Sequence, residues 1–281
     1  MQLIETVERW RKTLDAERLA GASVGLVPTM GYLHEGHAAL IRRAARECDV
    51  VGVTVFVNPL QFGPTEDLAA YPRDLDADCA LAARCEASFV FAPAVEEMYP
   101  QPLRTAVSVG DLGARWEGAS RPGHFEGVAT VVAKLFAQAG PCRAYFGEKD
   151  FQQLAVIRRL TLDLSLPVDV VGCPTVREHD LLALSSRNVY LTPDERKVAP
   201  CLYEALLAGA AEARARGATP DSVRAVIERL IVAVPQFTLD YVAVVDPSTL
   251  TPASALSGDI RLLVAARLGR ARLIDNMGVT V

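Results

Sequence analysis

Up to residue 175, short apolar runs alternate with amphipathic stretches. The runs at 23–28, 50–57, 88–91, 105–109, 142–146 and 168–173 predict strands. The stretches at 2–20, 36–47, 75–85, 126–139 and 150–163 place apolar residues at helical spacing and predict helices. Val50-Val51-Gly52-Val53-Thr54-Val55-Phe56-Val57 is apolar at nearly every position, as expected of a strand covered on both faces. Strands and helices in this alternation predict an α/β fold with a doubly wound, Rossmann-like parallel sheet. Such sheets bind ligands beyond the carboxyl ends of their strands.

Beyond residue 176 the texture changes. A polar stretch from Arg177 to Asn188 leads into two predicted helices, 193–216 and 220–233, separated by Gly217-Ala218-Thr219-Pro220, a helix stop and restart. Strand-like runs follow at 237–245, 260–266 and 270–275. Helices followed by clustered strands predict a smaller C-terminal α+β domain, so the expected division is 1–175 and 176–281.

Composition narrows the class. The chain has 281 residues, 51% hydrophobic and 22% charged, as in soluble globular proteins. Its formal charge of −5 argues against a broad nucleic-acid surface while leaving room for a small basic pocket. The six cysteines (48, 79, 85, 142, 173 and 201) form no C-x-x-C pair and lie mostly in apolar runs, which predicts buried, reduced thiols. Met1-Gln2-Leu3-Ile4-Glu5 has no basic segment before an apolar stretch, and no apolar run is long enough to span a bilayer. The expected location is the cytoplasm.

The densest chemistry lies in Pro28-Thr29-Met30-Gly31-Tyr32-Leu33-His34-Glu35-Gly36-His37. This segment joins a predicted strand to a predicted helix, and a helix N-terminus offers unpaired amides and partial positive charge to a phosphate. Two imidazoles three residues apart, beside glycines that let a ligand approach the backbone, suit a nucleotide triphosphate. Two other readings compete. The pair could ligate zinc with His124, His179 or a carboxylate as third ligand, although zinc helices space their histidines four apart. Alternatively, the two residues could simply cap the helix.

Further polar groups follow the strands. Asn58-Pro59-Leu60-Gln61-Phe62-Gly63 succeeds the second strand, and Gln61 carries both a donor and an acceptor for a polar substrate. Arg121-Pro122-Gly123-His124-Phe125-Glu126-Gly127 opens another helix. Phe146-Gly147-Glu148-Lys149-Asp150-Phe151-Gln152-Gln153 forms a further strand-to-helix junction, where Lys149 can meet phosphate as a point charge. Ser185-Ser186-Arg187-Asn188 offers two hydroxyls and a guanidinium, and arginine binds phosphate bidentately.

Together with Tyr71-Pro72-Arg73 and Pro174-Thr175-Val176-Arg177-Glu178, these blocks resemble, in order and spacing, the pantothenate synthetase (pantoate–β-alanine ligase) family of the H-x-G-H nucleotidyltransferases. The resemblance covers nearly the whole chain. It implies ATP-dependent condensation of pantoate with β-alanine through a pantoyl adenylate, with Mg²⁺, in a homodimer. It assigns His34 and His37 to the ATP phosphates. Lys149, Ser185, Ser186 and Arg187 are assigned to the triphosphate, with Met30, Gly147 and Val176 lining the ATP site and Asp150 at the ribose. Gln61 and Gln153 are assigned to pantoate beside Met30, with Asn58, Tyr71, Arg121 and His124 shaping that pocket. Asp78 or Asp76 are the protein groups it offers magnesium. One departure stands out: the family reads Gly-Leu-Ala-Met before the double serine, whereas this chain has Leu181-Leu182-Ala183-Leu184. The alternatives are a nucleotidyltransferase acting on a phosphate-bearing acceptor, which needs no pair of glutamines facing a small hydroxy acid, and a non-catalytic nucleotide sensor, against which the intact set of reactive residues speaks.

Overall fold

The computed structural model describes residues 1–63 and 68–281. It divides into two compact units. The first comprises Met1–Ala114, Gly118–Glu148 and Val156–Pro174, and the second comprises Arg115–Glu117, Lys149–Ala155 and Thr175–Val281.

The first unit is built on β1 (Gln2–Ile4), β2 (Val24–Thr29), β3 (Val50–Val55), β4 (Phe89–Phe91), β5 (Cys142–Gly147) and β6 (Val168–Cys173). They form one sheet in the order β1-β4-β3-β2-β5-β6, with every neighbouring pair parallel. Between the strands run helices α1 (Val7–Leu19), α2 (Glu35–Glu47), α3 (Leu75–Arg84), α4 (Val95–Met98), α5 (Glu117–Ser120), α6 (His124–Ala139) and α7 (Phe151–Asp163), of which the first residue of α5 and the first five of α7 belong to the second unit. Successive residues of β3 face opposite helical layers, as a strand's period of two requires. Val51 and Val53 join a buried cluster with Ala38, Ile41 and Ala44 of α2 and Leu81 and Ala82 of α3. Gly52, between them, faces Trp10 of α1 so closely that a Cβ would lie 2.3 Å from the indole. This two-sided burial is why the strand sequences are apolar throughout.

The second unit contains α8 (Pro193–Val198), α9 (Cys201–Ala213) and α10 (Pro220–Val232), followed by an antiparallel sheet β7-β8-β9 of Phe237–Val245, Asp259–Leu268 and Ala271–Thr280. Leu202, Leu206, Ile227, Ile231, Leu262 and Val264 form its core between helices and sheet.

Three expectations need correction. Residues 2–4 are an edge strand paired with β4 rather than the start of a helix, which begins only after the Thr6 N-cap. Residues 105–109 are not a strand, and the amide of Val107 is satisfied instead by the Thr130 hydroxyl of α6 at 2.9 Å. The expected helix 193–216 is two helices, α8 and α9, with Pro200 at the N-cap of the second, because a proline inside a helix removes a backbone donor.

Candidate active site

The chain reverses its direction of winding across the sheet between β2 and β5: β3 and β4 lie on one side of this pair and β6 on the other. A crevice at the carboxyl ends of such a strand pair is where this architecture binds ligands. Here β2 ends at Thr29, which leads into the two histidines, and β5 ends at Gly147. Among the described residues, nothing lies within 4 Å of where a Gly147 side chain would begin. The protein's own packing therefore does not demand a glycine there.

The loop after β2 is held in an unusual backbone path. The Thr29 hydroxyl donates to the Thr54 carbonyl at 2.6 Å and accepts the Gly31 amide at 3.1 Å. Gly31 and Tyr32 both take positive φ, +84° and +51°. A Cβ on Gly31 would come 2.8 Å from Asp78 Oδ2, so glycine is required on both conformational and steric grounds. The buried Asp78 carboxylate accepts the amides of Tyr32 at 2.9 Å and Leu33 at 2.6 Å. Burial holds this carboxyl above its ordinary value, and the two amides offset that rise only in part. Asp78 thus clamps the loop, and the resemblance offers the same carboxylate to magnesium. Asp76, two residues away on α3, is exposed.

His34 is the N-cap of α2, and its Nδ1 accepts the Gly36 amide at 3.1 Å. His37, three residues on, accepts the His34 amide on its own Nδ1 at 3.2 Å, which makes a reciprocal capping box out of two imidazoles. The rings lie 4.2 Å apart, tilted by 40°. A nitrogen that accepts an amide N–H carries no proton, so each neutral ring bears its hydrogen on Nε2. Capping and ligand binding are therefore compatible: the cap uses Nδ1 and sets Nε2 as the donor. Among the described residues, no three His, Cys, Asp or Glu side chains are grouped to hold a metal ion.

Gln61 sits in a short 3₁₀ turn (Pro59–Gln61) after β3, capped by Asn58. Asn58 is buried and fully used. Its Oδ1 accepts the Tyr99 hydroxyl at 2.8 Å and the Leu60 amide at 3.3 Å, while its Nδ2 donates to the Gly127 carbonyl at 3.1 Å and Gln61 Oε1 at 3.2 Å. This orients the Gln61 amide so that Nε2 points to Met30 Sδ, 2.9 Å away. His124 Nδ1 meets the Gln61 carbonyl at 2.8 Å, which only a protonated Nδ1 can do; Nε2 is then the acceptor for Arg121 Nη1 at 3.0 Å. The expected pocket residues Met30, Asn58, Gln61, Arg121 and His124 are thus one bonded group. Tyr71 is buried edge-on against Phe62, next to that turn.

In the second unit, Lys149 and Asp150 occupy a one-turn 3₁₀ segment (Glu148–Asp150) and form a loose ion pair at 3.6 Å. Gln153 is half-buried on the first turn of α7. Its neighbour Gln152 is buried and fixed by the Glu117 amide at 3.1 Å and the Arg115 carbonyl at 2.9 Å. Val176 pairs through its carbonyl with the Leu184 amide, and Ser185 caps a 3₁₀ turn (Ser186–Tyr190) by accepting the Arg187 amide at 3.2 Å. Asn188 ties this turn to Glu178 and Ala183. Leu181, where the resemblance expects glycine, takes φ +73°, a left-handed conformation that favours glycine.

Reading the sequence did not single out Tyr99, Asp275 or Asn276. Each acts through a partner at least 41 positions away in the chain, so no local spacing marks it.

Residues 2–278 match the sequence model described as Pantoate-beta-alanine ligase. The chain is 56% identical over 280 residues to the pantothenate synthetase of Thermus thermophilus, covering 99% of each, and 51% identical over 277 residues to that of Brucella anthropi, covering 98% of this chain and 96% of that one. A crystal structure of the Thermus thermophilus protein superposes with a TM-score of 0.94 at 55% identity over the full length of both chains. The Francisella tularensis ligase, solved with beta-gamma ATP and beta-alanine, superposes with a TM-score of 0.81 at 31% identity, covering 99% of this chain and 97% of that one. Among the described residues, no helix is long and apolar enough to cross a membrane.

Proposed function

Because the chain belongs to the pantoate–beta-alanine ligase family, we infer that it joins pantoate to β-alanine at the expense of ATP, through a pantoyl adenylate. A carboxylate is a poor electrophile, and the first half-reaction corrects this. A pantoate carboxylate oxygen attacks the α-phosphorus of ATP, and the bond to pyrophosphate breaks. The β-alanine amine then attacks the acyl carbon, AMP leaves with the bonding electrons, and the nitrogen gives up a proton.

The observation that carries this reading is the paired imidazole cap at the sheet's reversal point. Two Nε2–H donors at a helix N-terminus, pre-set by backbone bonds, suit the negative charge that builds on an attacked phosphoryl group. We assign His34 and His37 to that role. Lys149, Ser185, Ser186 and Arg187 are assigned to the triphosphate and the departing pyrophosphate, and Met30, Gly147, Asp150 and Val176 to the nucleotide. The open space beside Gly147 supports close approach of a ligand there. Gln61 and Gln153 are assigned to pantoate, and the fixed orientation of the Gln61 amide supports a defined donor to a hydroxyl or carboxylate. Asn58, Tyr71, Arg121 and His124 shape that pocket. Residues 1–175 would serve as the ATP- and pantoate-binding domain and 176–281 as a lid.

Asp78 or Asp76 is assigned to magnesium; each Asp78 oxygen accepts one amide and keeps a lone pair, so a single carboxylate could join phosphate oxygens and water around the ion. The ion would ride chiefly on phosphate oxygens and water, in keeping with its reluctance to dehydrate. A homodimer in the cytoplasm is the further expectation from the resemblance, and sedimentation of the purified chain tests the dimer.

The decisive assay mixes ATP, Mg²⁺, pantoate and β-alanine and looks for AMP together with one new amide. Leaving out the amine should yield pyrophosphate and a trapped mixed anhydride. Pyrophosphate released with a phosphate ester in place of pantoate would instead indicate a nucleotidyltransferase.

A further inference from the structure

We propose that Asn276 of β9 is a positioning residue for Lys149, acting through the lysine's backbone; this rests on the assignment of Lys149 to the ATP phosphates. The Asn276 Nδ2 donates to the Lys149 carbonyl at 2.8 Å, and its Oδ1 accepts Arg261 Nε at 2.7 Å. The amide orientation is unambiguous. Arg261 can only donate, so the oxygen must face it, and the carbonyl can only accept, so the nitrogen must face Lys149. Asn276 is 5% exposed, so neither bond competes strongly with water.

The same pair holds the turn at a second point. The Arg261 guanidinium lies over the Phe151 ring, 3.9 Å from its centroid, and Phe151 is the first residue of α7. Arg261 and Asn276 meet diagonally across the β8–β9 ladder, where Arg261 stands opposite Gly278. Two bonded side chains of the C-terminal sheet thus fix the backbone on which Lys149 is carried. A lysine reaches phosphate through a long, flexible stem, so the position of its backbone decides what its ammonium can reach. The next residue back does related work on the opposite face of β9. Asp275 receives a two-pronged pair from Arg177 at 2.6 and 2.9 Å, and Arg177 stacks on Tyr203 at 3.7 Å. Arg177 follows Val176, at the start of the segment that ends in Ser185–Arg187, so adjacent residues of one strand anchor both phosphate-assigned segments of this unit.

The test compares Asn276→Asp, Asn276→Ala and Lys149→Ala in the full chain, by pyrophosphate release with pantoate and by thermal unfolding. Asn276→Asp keeps an acceptor for Arg261 but loses the donor to the Lys149 carbonyl. It should therefore lower the melting temperature by a few degrees, as the loss of one buried bond does, and leave the pantoate KM at the parental value while raising the KM for ATP by about tenfold, as a small displacement of a binding group does. Asn276→Ala should raise the ATP KM at least as far; if it does not fold, Asn276→Asp carries the comparison. An Asn276→Asp enzyme with parental ATP KM, alongside a crippled Lys149→Ala, overturns the positioning role and leaves the assignment of Lys149 standing. Equal losses for ATP and pantoate with a collapsed melting temperature also overturn it, in favour of a purely structural bond. Parental kinetics in Lys149→Ala overturn the proposal together with the assignment it rests on.

Discussion

The Nδ1 of His37 accepts the backbone amide of His34 at 3.2 Å, so the second histidine of the motif secures the first. His34 returns the arrangement by accepting the Gly36 amide at 3.1 Å. Each imidazole is thereby locked in one tautomer before any ligand arrives. Preorganised donors of this kind need no reorientation when charge develops.

Cap and donor can be separated by substitution. Asparagine is a strong N-cap but has no group equivalent to an imidazole Nε2. His34→Asn should therefore keep the parental melting temperature while slowing pyrophosphate release by about 10²–10³-fold. His37→Ala should lose a similar factor in rate, with a further stability cost of about 1 kcal/mol from the broken cap. Stopped-flow or coupled pyrophosphate assays, with parallel calorimetry, measure both. A parental rate in His34→Asn would remove its Nε2 from the chemistry.

Asp78→Ala should damage the loop without touching a histidine. It strips the acceptors from the Tyr32 and Leu33 amides, and an unsatisfied buried donor costs about 1–3 kcal/mol. Urea unfolding should show a loss of about 2 kcal/mol or more. A midpoint unchanged from the parent would mean that water replaces the carboxylate at little expense.

Leu181 offers a test in the stabilising direction. At φ +73° an L-residue is strained by about 1–2 kcal/mol, against the about 0.5–1 kcal/mol that glycine loses in backbone entropy. The side chain is 46% exposed, so its removal sacrifices little burial. Leu181→Gly should be neutral or stabilising by up to about 1 kcal/mol, whereas the β-branched Leu181→Val should destabilise. Melting temperatures of the two variants decide this.

Asp246 sets an acid limit at the turn after β7. Its Oδ1 accepts the Ser248 hydroxyl and amide and the Thr249 amide and hydroxyl, at 2.5, 2.8, 2.9 and 3.1 Å. The Ser248 hydroxyl is the largest of the causes that hold the carboxyl down at about 2, against an ordinary value of 3.8. A depressed acid stabilises the fold when ionised, so the contribution is complete above pH 3.8 and is lost as pH falls through about 2. The melting temperature of the parent should exceed that of Asp246→Asn at neutral pH, and the gap should close across that window.

Burial pushes the Cys142 thiol up to about 12, so at pH 8 it is almost entirely protonated and a poor nucleophile. Thiol titration of the native chain with Ellman's reagent should leave Cys142 unreacted until denaturant is added. Rapid modification at pH 8 would contradict this.

Much of the fold was legible because two-sided burial writes itself into the strands. The runs at 50–57 and 168–173 locate β3 and β6, and the Thr219-Pro220 signal locates the start of α10. The edge strand β1 was not legible, since its three residues become a strand only by pairing with Phe89–Phe91. Residues 105–109 carry strand-like residues, yet the Thr130 hydroxyl on α6 supplies the bond a neighbouring strand would have given.

The sequence alone determined the α/β class, the family and the cluster of chemistry at His34–His37, because periodicity and motif spacing are local properties of the chain. Only the tertiary structure decided what the polar groups do. Asp78 clamps a loop, Asn58 orients Gln61, and Asn276 grips the backbone of Lys149. A buried polar atom must find its partner wherever the fold puts one, and that partner can lie 127 residues away, as it does for Asn276.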